Sequence, residues 1–156
     1  MTGTSGPAPE ARTVEVLRAW YRSFGELGRR FGTHLGMHTS DAAALVQITG
    51  AEERGTPLTQ SQLSRRIGLT TPATSSLLNR LETAGHVTRT RDSADRRVVT
   101  VRSTPAVHEE VQDFFADVGR ELDEIVSSYP PETVRAFEEM IGSMTAVLDR
   151  HADQRS

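Results

Sequence analysis

The stretch Leu58–Pro105 constrains the fold of this chain most, because it contains two capped helices with only a tight turn between them. Thr59 followed by Gln62 is the capping-box pattern, and it predicts a short helix that Gly68 ends. Two threonines then supply hydroxyl caps before Pro72, whose missing N–H costs nothing in a first helical turn. Two helices joined in this way indicate a helix-turn-helix, in which the second helix enters the DNA major groove.

The second helix of this pair has an apolar side and a polar side. Leu77, Leu78 and Leu81 recur at helical spacing and predict the inner side. The polar residues predicted for the outer side are Thr71, Thr74, Ser75, Ser76, Asn79 and Arg80. Arginine can bond phosphates or guanine, and short polar side chains can reach base edges, so this side suits a DNA duplex. The alternative is an ordinary solvated helix side, which the capped turn before it disfavours.

Two segments rich in β-branched residues, 86–91 and 98–102, follow this helix and predict two antiparallel strands around a charged tip. Between Thr59 and Thr104 there are eight arginines and three acidic residues, a local charge of +5, whereas the rest of the chain has ten arginines and eighteen acidic residues, or −8. A basic centre in an acidic chain indicates a phosphate-bearing partner. The predicted DNA-binding residues are Thr59, Gln60, Thr71, Thr74, Ser75, Ser76, Asn79, Arg80, Arg89, Arg91, Arg96 and Arg97.

The strand segments carry two further motifs. Asp95-Arg96-Arg97 is followed by Val101 and Ser103-Thr104, and Gly85-His86-Val87 with Arg89 precedes it. These motifs resemble the wing of the MarR family of bacterial transcriptional regulators, which has a D-x-R, a hydrophobic strand and a Leu-Thr; Ser103 departs from that leucine. The resemblance implies that Arg97 reaches the minor groove or its phosphates, and that Asp95 orients a neighbouring arginine.

Apolar residues at helical spacing predict three long amphipathic helices outside this segment. A chain of 156 residues has little core to offer them, so their apolar faces predict a homodimer interface, as the resemblance also implies. The predicted fold is mainly α with a small two-stranded β wing. Its parts are a disordered tail (1–11), one domain (12–150) in which dimerisation helices (12–36 and 104–150) flank a winged helix-turn-helix (39–103), and a polar tail (151–156).

A two-fold dimer would place two reading helices in successive major grooves, on an imperfect palindrome with half-sites roughly 10 base pairs apart. We therefore predict a sequence-specific DNA-binding transcriptional regulator, a repressor released by a ligand. Two alternatives are a protein that coats DNA without sequence preference and a winged helix that binds another protein. Trp20, Tyr21, Phe24 and Phe31 are either core residues or the lining of a pocket for a phenolic or other aromatic effector.

Several classes of protein are disfavoured by the residues that are missing. Without cysteine there is no disulfide and no thiolate metal site, and the common catalytic motifs are absent, so we predict no enzyme and no cofactor. His34 and His38 have a spacing that can bind metal, yet no third ligand lies near them in sequence. No segment is apolar enough for a membrane span or a signal peptide, which predicts a cytoplasmic protein without a membrane partner.

Overall fold

A computed structural model describes residues 9–91 and 98–153 of the chain. Within these residues the elements, in chain order, are α1 (Pro9–His34), α2 (Thr39–Glu53), β1 (Leu58–Thr59), α3 (Gln60–Ile67), α4 (Thr71–Thr83), β2 (Val87–Arg91), β3 (Val99–Ser103), α5 (Pro105–Ser127) and α6 (Pro131–Asp153). The prediction of a mainly helical fold with a small β wing is confirmed. Asp95, Arg96 and Arg97, and the predicted tail residues 1–8 and 154–156, lie outside the described residues.

The three strands form one antiparallel sheet in which β3 lies between β1 and β2. Val87 of β2 is opposite Ser103, and Leu58 of β1 is opposite Val101. The two predicted wing strands are therefore confirmed as β2 and β3, and β1 is a third strand that the sequence did not predict. Because β1 has only two residues, its sequence shows no alternation, and it is recognisable only from its pairing with β3 and the burial of Leu58.

The outer ends of the first and last helices differ from the predicted tails. Residues 9–11 of the predicted tail are helical and belong to α1. The helix α6 continues to Asp153, and Arg150 and His151 in its last turn suit the negative end of the helix dipole. None of the helices in the described part of the chain is long and apolar enough to cross a lipid bilayer.

Contacts divide the chain into two compact units, Met1–Phe114 and Phe115–Ser156. The first unit contains the helix pair, the sheet and a continuous apolar core, with Phe31 against Phe114 at a ring-centroid distance of 5.0 Å. Its largest fully buried apolar side chains are Phe31, Leu45, Ile48, Leu63, Leu77, Leu78, Leu81, Val87 and Val101. The second unit instead exposes large apolar side chains on its helices and in the turn between them, at Leu122, Ile125, Val126, Tyr129, Phe137, Met140, Val147 and Leu148.

The left-handed backbone of Gly68, at φ 66° and ψ 30°, ends α3 and begins the turn into α4. Gly68→Ala should lower the free energy of unfolding by about 1 to 2 kcal/mol, because a Cβ is strained in that conformation. The matched control is Gly119→Ala in the middle of α5, where a Cβ would meet no atom within 4 Å. It should raise the free energy of unfolding by roughly 0.5 to 1 kcal/mol. Urea unfolding followed by circular dichroism measures the free energy of unfolding of both variants. A change of the same sign in the two variants would contradict the left-handed conformation of Gly68.

Candidate nucleic-acid interface

The turn between α3 and α4 is held by short-range hydrogen bonds at each of its ends. Thr59 Oγ1 accepts from the backbone N–H of Gln62 at 3.3 Å, and Gln62 Oε1 accepts from the backbone N–H of Thr59 at 2.9 Å, which confirms the predicted capping box. Ser64 Oγ donates to the carbonyl of Leu69 at 2.6 Å. Thr70 Oγ1 caps α4 by accepting from the N–H three residues on, at 3.4 Å. The two helices are therefore fixed relative to each other.

The inner side of α4 is as predicted, with Leu77, Leu78 and Leu81 at most 1% exposed. The predicted outer residues Thr71, Ser76, Asn79 and Arg80 are exposed, and Ser75 is half-buried. An exposed, polar helix surface backed by a buried leucine row is the arrangement with which a helix-turn-helix reads the major groove.

Thr74 is the residue of α4 whose predicted exposure is wrong. Its side chain is completely buried, and its hydroxyl donates to the carbonyl of Thr70 at 3.0 Å. Thr74 precedes Leu77 by three residues and Leu78 by four, so it shares their side of the helix. This spacing predicts the inner side of the helix. The polar character of threonine had instead favoured the outer side.

Arg80 is bonded to a buried carboxylate on another helix. Arg80 Nη2 lies 2.6 Å from Oδ1 of Asp41, whose side chain is only 9% exposed, near the start of α2. A buried carboxylate requires such a partner, because an isolated charge is costly to remove from water. The pair therefore anchors the second half of α4 to α2. Since the Arg80 side chain remains 53% exposed, it can still approach a phosphate.

A second arginine connects α4 to the wing. Arg89, in the middle of β2, donates from Nη2 to Oδ1 of Asn79 at 2.8 Å and from Nη1 to the carboxylate of Glu82. Its side chain is 27% exposed, so the guanidinium lies mainly between strand and helix. The sequence predicted both Arg89 and Asn79 as DNA contacts; the structure brings them together with each other.

The other predicted residues of this surface occupy different positions. Thr59 is half-buried and uses its hydroxyl in the helix cap. Gln60 is half-buried and donates from Nε2 to the carbonyl of Thr71 at 3.5 Å. Arg91 is exposed at the end of β2, next to the wing tip. Among the described residues Arg91 is therefore the arginine of the wing best placed to meet a DNA backbone.

Sequence reasoning missed a polar junction where α2, β3 and α5 meet. The Glu52 carboxylate accepts from the backbone N–H of Ser103 at 3.0 Å and from its hydroxyl at 2.5 Å. Ser103 Oγ also lies 3.1 Å from Nδ1 of His108 in the first turn of α5, and Arg102 Nη1 lies 3.7 Å from Glu52. The serine that departs from the Leu-Thr pattern thus forms hydrogen bonds with Glu52 and lies next to His108.

Removal of the Glu52 carboxylate should be costly. In Glu52→Ala the N–H and hydroxyl of Ser103 lose their acceptor in a site that water reaches poorly, since the Glu52 side chain is 12% exposed. We expect the free energy of unfolding to fall by about 1 to 3 kcal/mol in denaturant titrations. The matched control is Glu53→Ala at the neighbouring position, where the side chain is 47% exposed and the change should stay within about 0.5 kcal/mol. Equal losses in the two variants would argue against the junction.

An open depression lies next to the end of α4. Its lining residues are Gly36, Met37, His38, Asp41, Arg80, Leu81, Ala84 and His86. The four aromatic residues considered for an effector pocket do not line this depression, because they lie on α1. Phe31 is completely buried in the core, whereas Trp20, Tyr21 and Phe24 are 58%, 73% and 46% exposed. Trp20 and Phe24 stack on each other at 5.4 Å between ring centroids.

The remaining charged groups of α1 form surface contacts. His34 Nε2 lies 3.4 Å from Oε1 of Glu110, and the described residues contain no group of three or more metal-binding side chains. Hydrogen bonds from Arg29 and then Arg30 lower the pKa of Glu26 to about 2, and the pKa of Arg29 is raised by the same carboxylate. Glu26 therefore keeps its charge at any ordinary pH. This solvated cluster supports the helix and carries no site chemistry.

Comparison with known proteins places this geometry in a family. A family model with the description MarR family matches residues 35–98, which include the helix pair and the first wing strand. Over these residues the chain is similar to the MarR family. A curated relative, the uncharacterized HTH-type transcriptional regulator YcgE of Bacillus subtilis (strain 168), is 26% identical over 137 residues, covering 83% of this chain and 88% of the relative. These matches indicate a transcriptional regulator whose DNA-binding winged helix is MarR-like.

Solved structures of two other proteins are also similar to this chain. MepR of S. aureus in its DNA-binding conformation has a TM-score of 0.68 at 18% identity, covering 87% of this chain and 98% of MepR. NadR in complex with 4-hydroxyphenylacetate has a TM-score of 0.63 at 19% identity, covering 92% of this chain and 97% of NadR. At these identities the likeness shows the fold. The curated relative is named as a transcriptional regulator.

Proposed function

We propose that this MarR-family chain is a ligand-responsive repressor that binds a pseudo-palindromic operator as a homodimer and, because its target is genomic DNA, acts in the cytoplasm. The observation that carries the proposal is the outer surface of α4. Thr71, Ser76 and Asn79 are exposed there, while the capped turn and the Asp41–Arg80 pair hold the helix in place. A rigid polar helix surface lets side chains reach base edges without a further ordering cost.

The apolar surface of the helices outside the winged unit supports a dimer. Trp20, Tyr21 and Phe24 are exposed on α1, and Phe137 and Leu148 are 56% and 71% exposed on α6. Monomeric proteins rarely leave so many large apolar side chains in water, and a second copy of the chain would cover them. Two copies related by a two-fold axis would present two α4 helices to successive major grooves, roughly 10 base pairs apart.

A ligand can release such a dimer from DNA if it binds the non-binding arrangement more tightly than the binding one. The NadR complex holds 4-hydroxyphenylacetate, a phenolic acid, and this supports a small aromatic effector for the present chain. The exposed rings of Trp20, Tyr21 and Phe24 offer apolar surface for such a ligand, whereas Phe31, further along α1, is buried in the core. Bound over a promoter, the dimer would exclude the polymerase until the effector arrives.

Fluorescence anisotropy on DNA that flanks the chain's own gene, against a scrambled duplex at two salt concentrations, tests this function. We expect tighter binding to the native DNA, with two protomers per site, and release by phenolic acids. Equal binding to both duplexes at both salt concentrations would instead indicate a DNA-coating protein. A complete lack of binding at low salt would indicate a winged helix that binds another protein.

Arg91→Ala should weaken binding to native and scrambled DNA by similar factors. The exposed Arg91 side chain is placed to neutralise a phosphate, which carries no sequence information. The slope of log affinity against log salt should therefore fall in magnitude by about one. The control Arg135→Ala removes an exposed arginine from α6, in the second compact unit, and should leave the slope unchanged. An unchanged slope in Arg91→Ala would remove this arginine from the interface.

A further inference from the structure

The contact between Arg89 and Asn79 determines which amide atom of Asn79 remains available to DNA. A guanidinium has hydrogen-bond donors and no acceptor, so the atom that meets Arg89 Nη2 at 2.8 Å must be the amide oxygen. Within residues 9–91 and 98–153 no acceptor is bonded to Asn79 Nδ2, and the residue is exposed. Asn79 therefore offers two N–H donors to its surroundings while its oxygen is engaged with a cation.

This orientation restricts the bases that Asn79 can recognise. Asparagine reads adenine in the major groove by accepting from N6 with its oxygen and donating to N7 with its nitrogen. Guanine presents two neighbouring acceptors, O6 and N7, which suit a group that only donates. We propose that Asn79 is a specificity-determining residue that selects guanine over adenine at one position of each half-site. This inference rests on the proposed function, since it needs α4 in the major groove.

Arg89 acts in this proposal as a positioning residue and not as a DNA contact. Its guanidinium is held on the other side by the carboxylate of Glu82, which lies one helical turn after Asn79 on α4. The Arg89 side chain is only 27% exposed, whereas its contact with Asn79 lies at the protein surface, where DNA can reach the amide. Three residues on two elements thus set the orientation of a single amide group.

Selection from a randomised duplex library tests the proposal with the parent chain, Asn79→Ala and Arg89→Met. The parent should prefer guanine at one position of each half-site. Asn79→Ala should lose the base preference at that position and at its symmetry mate. Arg89→Met frees the amide oxygen, so the ratio of guanine to adenine at that same position should fall by roughly tenfold. The control Thr88→Ala changes an exposed neighbour on β2 and should keep the parental preferences. Thermal unfolding checks that each variant is folded.

A second measurement needs no variant. The position to modify is the one where the parent prefers guanine and where footprinting shows that the recognition helix covers the DNA. Replacing that guanine with 7-deazaguanine removes the N7 acceptor and should weaken parental binding by roughly tenfold. A parental preference for adenine at the Asn79-dependent position, or an unchanged guanine-to-adenine ratio in folded Arg89→Met, would overturn the inference and leave the proposed function intact. If the parent enriches no sequence at all, the proposed function fails, and this inference fails with it.

Discussion

Leu78→Ala should lower the free energy of unfolding by about 3 kcal/mol, the largest single stability loss that we expect for the winged unit. Leu78 is completely buried on the inner side of α4, next to Leu77 and Leu81. Alanine removes three carbon atoms there and leaves a cavity, and leucine-to-alanine changes in close-packed cores cost about 2 to 5 kcal/mol. Urea unfolding at a fixed protein concentration measures the loss, because the stability of a dimer depends on concentration.

The control for this prediction is Ser76→Ala on the exposed side of the same helix. It leaves the core unchanged, and the stability change should stay within about 0.5 kcal/mol. Its effect should instead be seen in binding, on the preferred DNA and not on the scrambled duplex. A loss below about 1 kcal/mol for Leu78→Ala would mean that α4 is not packed as the structure describes.

Leu148→Asp should abolish the dimer and with it operator binding. Leu148 is 71% exposed, so in an isolated protomer aspartate would be solvated and cost little. In a dimer that buries this surface, the same carboxylate would be removed from water without a partner, which costs several kcal/mol. A monomer can engage only one half-site, and loss of the second should weaken binding by roughly 100-fold or more. Sedimentation gives the mass and anisotropy gives the affinity.

Ala146→Asp provides the matched control, because it introduces the same charge at an exposed position on the other side of α6. The control should remain dimeric and bind DNA like the parent. If Leu148→Asp also remains dimeric, the exposed stripe of α6 is not the interface, and the homodimer must be sought on α1 or α5. If it becomes monomeric but binds as tightly as before, recognition does not require two protomers.

The features that the sequence predicted correctly are those that depend on neighbouring residues. The Thr59 capping box joins residues three apart. Gly68 marks the end of α3, and Pro72 marks the start of α4. Such signals are readable because backbone geometry and side-chain reach decide them locally. Thr74 was the exception: its position on the inner side was readable, but its side-chain polarity was given more weight.

The features that could not be predicted join residues that are distant in the sequence. Asp41 and Arg80 are 39 residues apart, and Glu52 and Ser103 are 51 apart. No period or motif in a single sequence indicates which carboxylate will meet which arginine or serine. The strand β1 could not be predicted for the same reason, since it is defined only by its pairing with β3. The sequence thus identified the reading helix and its exposed side, but not the contacts that hold it.

The two sides of α4 have consequences for how this regulator could change over evolutionary time. Thr74 and the leucines hold the helix in the core, whereas Thr71 and Ser76 are exposed on the same helix. If α4 reads DNA as proposed, stability and target choice are therefore encoded by different residues. A duplicated gene could diverge toward a new operator by substitutions at the exposed positions while its product keeps the ancestral fold. Substitutions at Asn79 would also change the surroundings of Arg89, because these two residues share one hydrogen bond.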